Sequence, residues 1–141
     1  MPDFRYNKLT TRHPEVEMNI KDIIDITEGK LLTPYANLNV TILGGFAGDL
    51  MSDVLASVRP DSVLITGLNN PQVVRTALIA DIRLVIFARS KNPSMETIKL
   101  AIAEKMPVVS SQLGLYEISG RLMKAGLPSF EQPINHIFDN D

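Results

Sequence analysis

The chain contains no cysteine. Disulfides, thiolate nucleophiles and cysteine-based zinc or iron–sulfur centres are therefore excluded, and the reducing cytoplasm is the expected setting. Long apolar runs are missing as well. The longest reach four or five residues, as from Leu84 to Ala88, whereas a bilayer-spanning helix needs about 20. The opening Met1-Pro2-Asp3-Phe4-Arg5 has no apolar core, so no signal peptide is expected. There is no excess of positive charge: 14 Lys and Arg face 16 Asp and Glu, for a net charge of -2. This excludes the basic footprint of a nucleic-acid binder and a polybasic membrane surface. The histidines number two, His13 and His136. Both stand in terminal segments without metal-ligand spacing, so no metal site is expected. Nucleophile-elbow, Ser-x-x-Lys and His-Glu-x-x-His patterns are absent. No general base falls in the central loops, which argues against catalysis.

What is present fits one globular domain. A chain of 141 residues with 45% apolar and 21% charged residues buries roughly two-thirds of its unfolded surface. Residues 1–18 read as an N-terminal arm, 19–126 as an α/β domain, and 127–141 as a docking segment. That last stretch keeps Phe130, Ile134, Ile137 and Phe138, too apolar for a solvated tail. A helix is predicted from the N-cap Asn19 to the C-cap Gly29, with Ile20, Ile23 and Ile24 on one face. A short strand follows at Lys30–Leu32. Val40–Leu43 reads as a strand running into a Gly44-Gly45-Phe46-Ala47-Gly48 loop. Helices are predicted over 50–57, 71–80, 93–104 and 113–124, the last closing at Gly126. Leu50, Val54, Leu55, Met95, Ala101 and Ile102 are expected to face inward. Strands are predicted at Ser62–Thr66, Leu84–Ala88 and Pro107–Ser110.

Val63-Leu64-Ile65-Thr66-Gly67-Leu68-Asn69-Asn70-Pro71 returns in outline 22 residues later as Val85-Ile86-Phe87-Ala88-Arg89-Ser90-Lys91-Asn92-Pro93. Each copy is an apolar strand, a polar loop and an Asn-Pro helix start, with Asn as cap and Pro in the first turn. Strands alternating with helices through short loops predict a mostly parallel sheet of about five strands, covered on both faces.

Ligands of such sheets sit beyond the strand carboxyl ends. The loops expected there supply Gly44, Gly45, Gly48 and Asp49; Thr66, Gly67, Asn69 and Asn70; Arg89, Ser90 and Lys91; and Ser110, Ser111 and Gln112. Backbone N–H groups, hydroxyls, amides and two cations suit a phosphate or carboxylate. Structural readings stand beside these. The glycines match neither a dinucleotide fingerprint nor a P-loop and serve equally as a tight turn. Asp49 and Asp53 share a helix face, but two carboxylates make a poor Mg²⁺ site, and Asp49 reads more simply as a helix cap. Ser110 and Ser111 read likewise as caps. Arg89 and Lys91 serve equally as an anion seat or as solvated loop charges.

From Asp22 to about Leu122 the chain resembles the DRTGG domain family. Phe46-Ala47-Gly48-Asp49-Leu50-Met51-Ser52-Asp53-Val54-Leu55, Leu64-Ile65-Thr66-Gly67, the Pro93 helix and Pro107-Val108-Val109-Ser110-Ser111 carry the likeness. That module accompanies CBS domains in regulated pyrophosphatases, occurs in long phosphotransacetylases, and is related to the N-terminal domain of HPr kinase/phosphorylase. Asn69-Asn70 stands where the family has Asp-Arg, and Arg89-Ser90-Lys91 where it has Thr-Gly-Gly. The resemblance implies a three-layer α/β/α fold, a homodimer and a regulatory role, in some relatives beside nucleotide-binding domains. It implies no catalysis. Three functions remain open: a stand-alone sensor of an anionic nucleotide or phosphate-bearing ligand, with no resident cofactor; a protein–protein module without a ligand; and a small Mg²⁺-dependent enzyme using Asp49 or Asp53.

Overall fold

The computed structural model describes residues 17–89 and 92–133. In chain order the elements are β1 (Met18–Asn19), α1 (Ile20–Ile26), β2 (Gly29–Leu31), β3 (Thr41–Ile42), β4 (Gly44–Ala47), α2 (Met51–Ser57), β5 (Ser62–Thr66), α3 (Pro71–Ile79), β6 (Ile82–Phe87), α4 (Met95–Ala103), β7 (Val108–Ser111) and α5 (Leu115–Lys124). The main sheet has the order β2-β7-β6-β5-β4. Strands β4 to β7 are parallel and β2 joins β7 antiparallel at the edge. The α/β class and the mostly parallel five-stranded sheet are as expected.

Two cores follow from side-chain alternation along the strands. Val63, Ile65, Leu84, Ile86 and Val109 face one way, against Ile20 and Ile23 of α1 and Ile118 and Leu122 of α5. Leu64, Val85, Phe87 and Val108 face the other way, against Val54, Val73, Val74, Ala77 and Ala101 of α2, α3 and α4. Parallel strands taken in sequence order need crossovers of one hand, which put all three connecting helices on one face.

Local chemistry sets the helix ends. Asn19 and Asp22 form a reciprocal capping box, each side chain taking the other's backbone N–H at 2.9 Å. Gly126, at φ 111, ends α5, with Leu127 N–H returning to the Leu122 carbonyl at 2.9 Å. Arg121 ties α5 to α1. It donates to Glu117 at 2.9 Å, Glu28 at 3.0 Å and the Ile26 carbonyl at 3.2 Å. The hydrogen bonds to Glu117 and Glu28 raise its already high pKa.

Several local expectations are corrected. Gly29 does not cap α1. Glu28 takes the left-handed turn, at φ 53. Gly29 opens β2, where a Cβ would stand 2.5 Å from Val109 Cγ1. The strand expected at Val40–Leu43 is split. Thr41–Ile42 pairs with β1 in a separate antiparallel ribbon, and the supposed glycine loop is itself the strand β4. Glycine is tolerated in β4 because Phe130 packs on Gly44, a close approach that a side chain would obstruct. Leu50, Leu55, Met95 and Ile102 are exposed rather than inward. Leu50 is the N-cap of α2, outside its helical face.

The segment after α5 runs along the free edge of β4. Gly45 N–H donates to Pro128 O at 2.9 Å, and Phe130 N–H returns to Gly45 O at 2.8 Å. Arg59 places its guanidinium carbon 4.3 Å from the Phe130 ring centroid. An edge strand that would otherwise offer free N–H and C=O groups is thus paired. Ile134, His136, Ile137 and Phe138, like His13, lie outside the described residues.

Candidate functional site

Four chain segments leave the carboxyl ends of β4, β5, β6 and β7 side by side, in that order. Gly48, Asp49, Thr66, Gly67, Asn69, Asn70, Arg89, Ser110 and Ser111 gather along this rim. Gly44 and Gly45 do not. Gly44 pairs with Ser62 and Gly45 with Val63, at the start of β5, so both sit toward the opposite rim. Ser90 and Lys91 lie outside the described residues.

The β4–β5 half of the rim is closed on itself. Asp49 Oδ1 accepts from Thr66 Oγ1 at 2.9 Å and from Gly67 N–H at 2.7 Å. Asp49 therefore does not cap α2, whose N-cap Leu50 makes no side-chain bond. The Gly67 N–H, expected from the sequence to face an anion, already meets this carboxylate. Thr66 Oγ1 also accepts from Leu68 N–H at 3.2 Å.

The two Asn-Pro starts differ. Asn70 caps α3 through Gln72 N–H at 3.0 Å. Asn92 does not cap α4; Ser94 does, through Thr97 N–H at 3.1 Å, so α4 begins two residues past Pro93. The Asn92 carbonyl instead accepts from Asn69 Nδ2 at 3.3 Å. Thr97 Oγ1 donates to the Asn69 carbonyl at 3.1 Å. The β5–α3 and β6–α4 loops are laced together by their own polar groups.

The β6–β7 half is different. Arg89 holds φ 64 at the end of β6 and donates its N–H to Leu113 O at 2.8 Å. Its Cγ lies 3.9 Å from where a Cβ on Gly114 would stand, and Gly114 is the N-cap of α5 with no capping side chain. Ser111 is buried and no helix cap. It donates to Thr27 O at 2.6 Å and accepts from Leu113 N–H at 3.1 Å. Ser110 is half-buried and Arg89 exposed. The aliphatic stem of Arg89 thus passes beside a helix N-terminus that has no side-chain cap.

Among the described residues no cluster of three or more His, Asp or Glu is placed to hold a metal ion. Among the described residues no helix is long and apolar enough to cross a membrane.

The family model of the DRTGG domain matches residues 22–125. The chain belongs to the DRTGG domain family. The fold of this DRTGG domain is similar to the crystal structure of the CBS and DRTGG domains of the regulatory region of Clostridium perfringens pyrophosphatase, complexed with its activator diadenosine tetraphosphate. The TM-score is 0.61 at 14% identity, covering 96% of this chain and 56% of that one. No curated protein matches the sequence. Asn70 is occupied as a helix cap and Asn69 as a loop tie. Neither is left as an unengaged side chain in this DRTGG domain.

One feature had no sequence signal among the carboxyl-rim candidates. A cavity of about 630 Å³ opens at the opposite rim, between the 33–40 loop and the ends of α3 and α4.

Proposed function

We propose that this DRTGG domain is a regulatory module, not an enzyme, that senses a small anionic ligand at the carboxyl rim. The ligand class is a nucleotide or another phosphate-bearing molecule, and the module acts as a cytoplasmic homodimer. One observation carries the reading: Arg89 runs over the uncapped N-terminus of α5. A guanidinium carried on the Arg89 stem and the free N–H groups of a helix start both favour an anion. Because Asp49 already occupies the Gly67 N–H, the reading puts the seat in the β6–β7 half, where Arg89 meets Leu113 and Gly114. Family membership and the regulatory character of the similar pyrophosphatase region support the same reading.

The test is thermal unfolding with AMP, ADP, acetyl phosphate and inorganic phosphate. A ligand at 100 times its Kd stabilises by about 2.7 kcal/mol. The stabilisation is expected to grow with concentration and to vanish in Arg89→Ala. Absence of any shift at millimolar anion overturns the reading.

A second reading, a protein-docking module, is favoured by apolar exposure near the same rim: Leu50 at 66%, Met95 at 65% and Tyr116 at 93%. Its test is the oligomeric state of Leu50→Glu and Met95→Glu by sedimentation, where unchanged mass argues against it.

A further inference from the structure

The cavity at the amino-end rim is unlike the carboxyl rim in shape and in charge. Its volume of about 630 Å³ falls in the range of small-molecule sites. The floor is apolar, built from Leu78, Ile82, Ala101, Ile102 and Met106. Helices α3 and α4 both contribute their last turns, and neither carries a basic residue there. Two helix carboxyl ends, each with partial negative charge, therefore converge without a cation inside either helix to offset them.

The lining side chains lean the same way. Asp81 and Glu104 are carboxylates, while Arg83 and Lys105 are cations. Arg83 is engaged by Asp61 at 2.9 Å, which leaves two carboxylates against one lysine. At the mouth stands Tyr35, fully exposed and held in the left-handed region at φ 67. Asp81 and Lys105 share that unusual backbone, at φ 58 each. An exposed tyrosine ring offers its negative face to a cation.

We infer that this cavity is a second ligand site, for an organic cation with an apolar, aromatic-sized body: a primary amine on a ring. The ring lies on Leu78, Ile102 and Met106. The ammonium lies between Asp81, Glu104 and the two helix carboxyl ends, with Tyr35 over it. This site is independent of the anion seat beside Arg89, which lies at the other end of the strands.

Tryptamine is the probe, with indole-3-propionate as the anion of like size. Binding is followed by NMR shifts or calorimetry on the full chain. Tryptamine is expected to bind saturably below about 10 mM, and indole-3-propionate at least about ten-fold more weakly. Tyr35→Ala is expected to weaken tryptamine by about two- to five-fold, and Asp81→Asn with Glu104→Gln by about five-fold or more. No saturable binding of tryptamine, equal binding of both probes, or an unchanged affinity in the carboxylate variant overturns the proposal. The wild-type probe pair decides the matter even if a variant folds poorly. Arg89→Ala leaves tryptamine binding intact, which separates this site from the anion seat.

Discussion

Phe130 lies directly against the bare Cα of Gly44, in the space a Cβ would occupy. A ring from the segment after the last helix thereby seals the edge strand, with Arg59 stacked above it. Gly44→Ala is expected to lower stability by about 1–3 kcal/mol, the usual range for overpacking. Combining it with Phe130→Ala removes the clash, so the double variant falls short of the sum of the two single losses. Urea unfolding of the three variants checks this.

The Asp49 carboxylate joins two neighbouring loops through Thr66 and Gly67. Asp49→Ala is expected to cost about 1–2 kcal/mol, since a charged acceptor is lost while its donors stay in place. Asp49→Asn retains the acceptor oxygen and recovers most of that loss. Agreement of the two variants in thermal unfolding would refute the clamp.

The unequal Asn-Pro starts predict unequal caps. Asn70→Ala and Ser94→Ala should each lose about 1 kcal/mol. Asn92→Ala should lose far less, because its side chain makes no cap at α4. Denaturant midpoints distinguish them.

Among the described residues, Thr76 Oγ1 and Ser57 Oγ are buried without a hydrogen-bond partner. An unpaired buried hydroxyl costs about 1–3 kcal/mol. Thr76→Val keeps the branched shape and is expected to raise stability by about 1 kcal/mol, read from the unfolding midpoint. A lowered midpoint would show that the hydroxyl has a partner in solution.

Lys105 follows α4 in the left-handed region at φ 58, while Met106 N–H returns to Ala101 O at 2.8 Å. The turn suits glycine, and an L-residue there pays a steric penalty. Lys105→Gly is expected to gain about 0.5–1 kcal/mol after the entropy of glycine is subtracted. Calorimetric melting tests this.

Much of the fold was legible because its signals are local. The buried runs Val63–Ile65 and Leu84–Phe87, the isoleucines of α1, and the caps Asn19 and Asn70 each depend on residues within one turn or one strand. Met95 and Ile102 misled for the complementary reason. Their spacing fits a helix face, but α4 packs through Thr97, Leu100 and Ala101, which leaves Met95 and Ile102 in solvent. The rim was legible in part. Thr66, Gly67, Asn69 and Arg89 follow from the strand ends, whereas the partners that occupy them come from other loops.

The amino-acid order by itself determined the alternation of strand and helix, the parallel sheet, and the set of loops at its carboxyl rim, because hydrophobic period and capping chemistry act over a few residues. Only the tertiary structure decided that Gly44 and Gly45 belong to a strand, that Asp49 serves the neighbouring loop rather than its own helix, and that a cavity opens at the opposite rim. Each of those depends on contact between residues far apart along the chain: Phe130 on Gly44, Gly67 on Asp49, and the 33–40 loop on the ends of α3 and α4. Such contacts exist only once the sheet has brought those segments together.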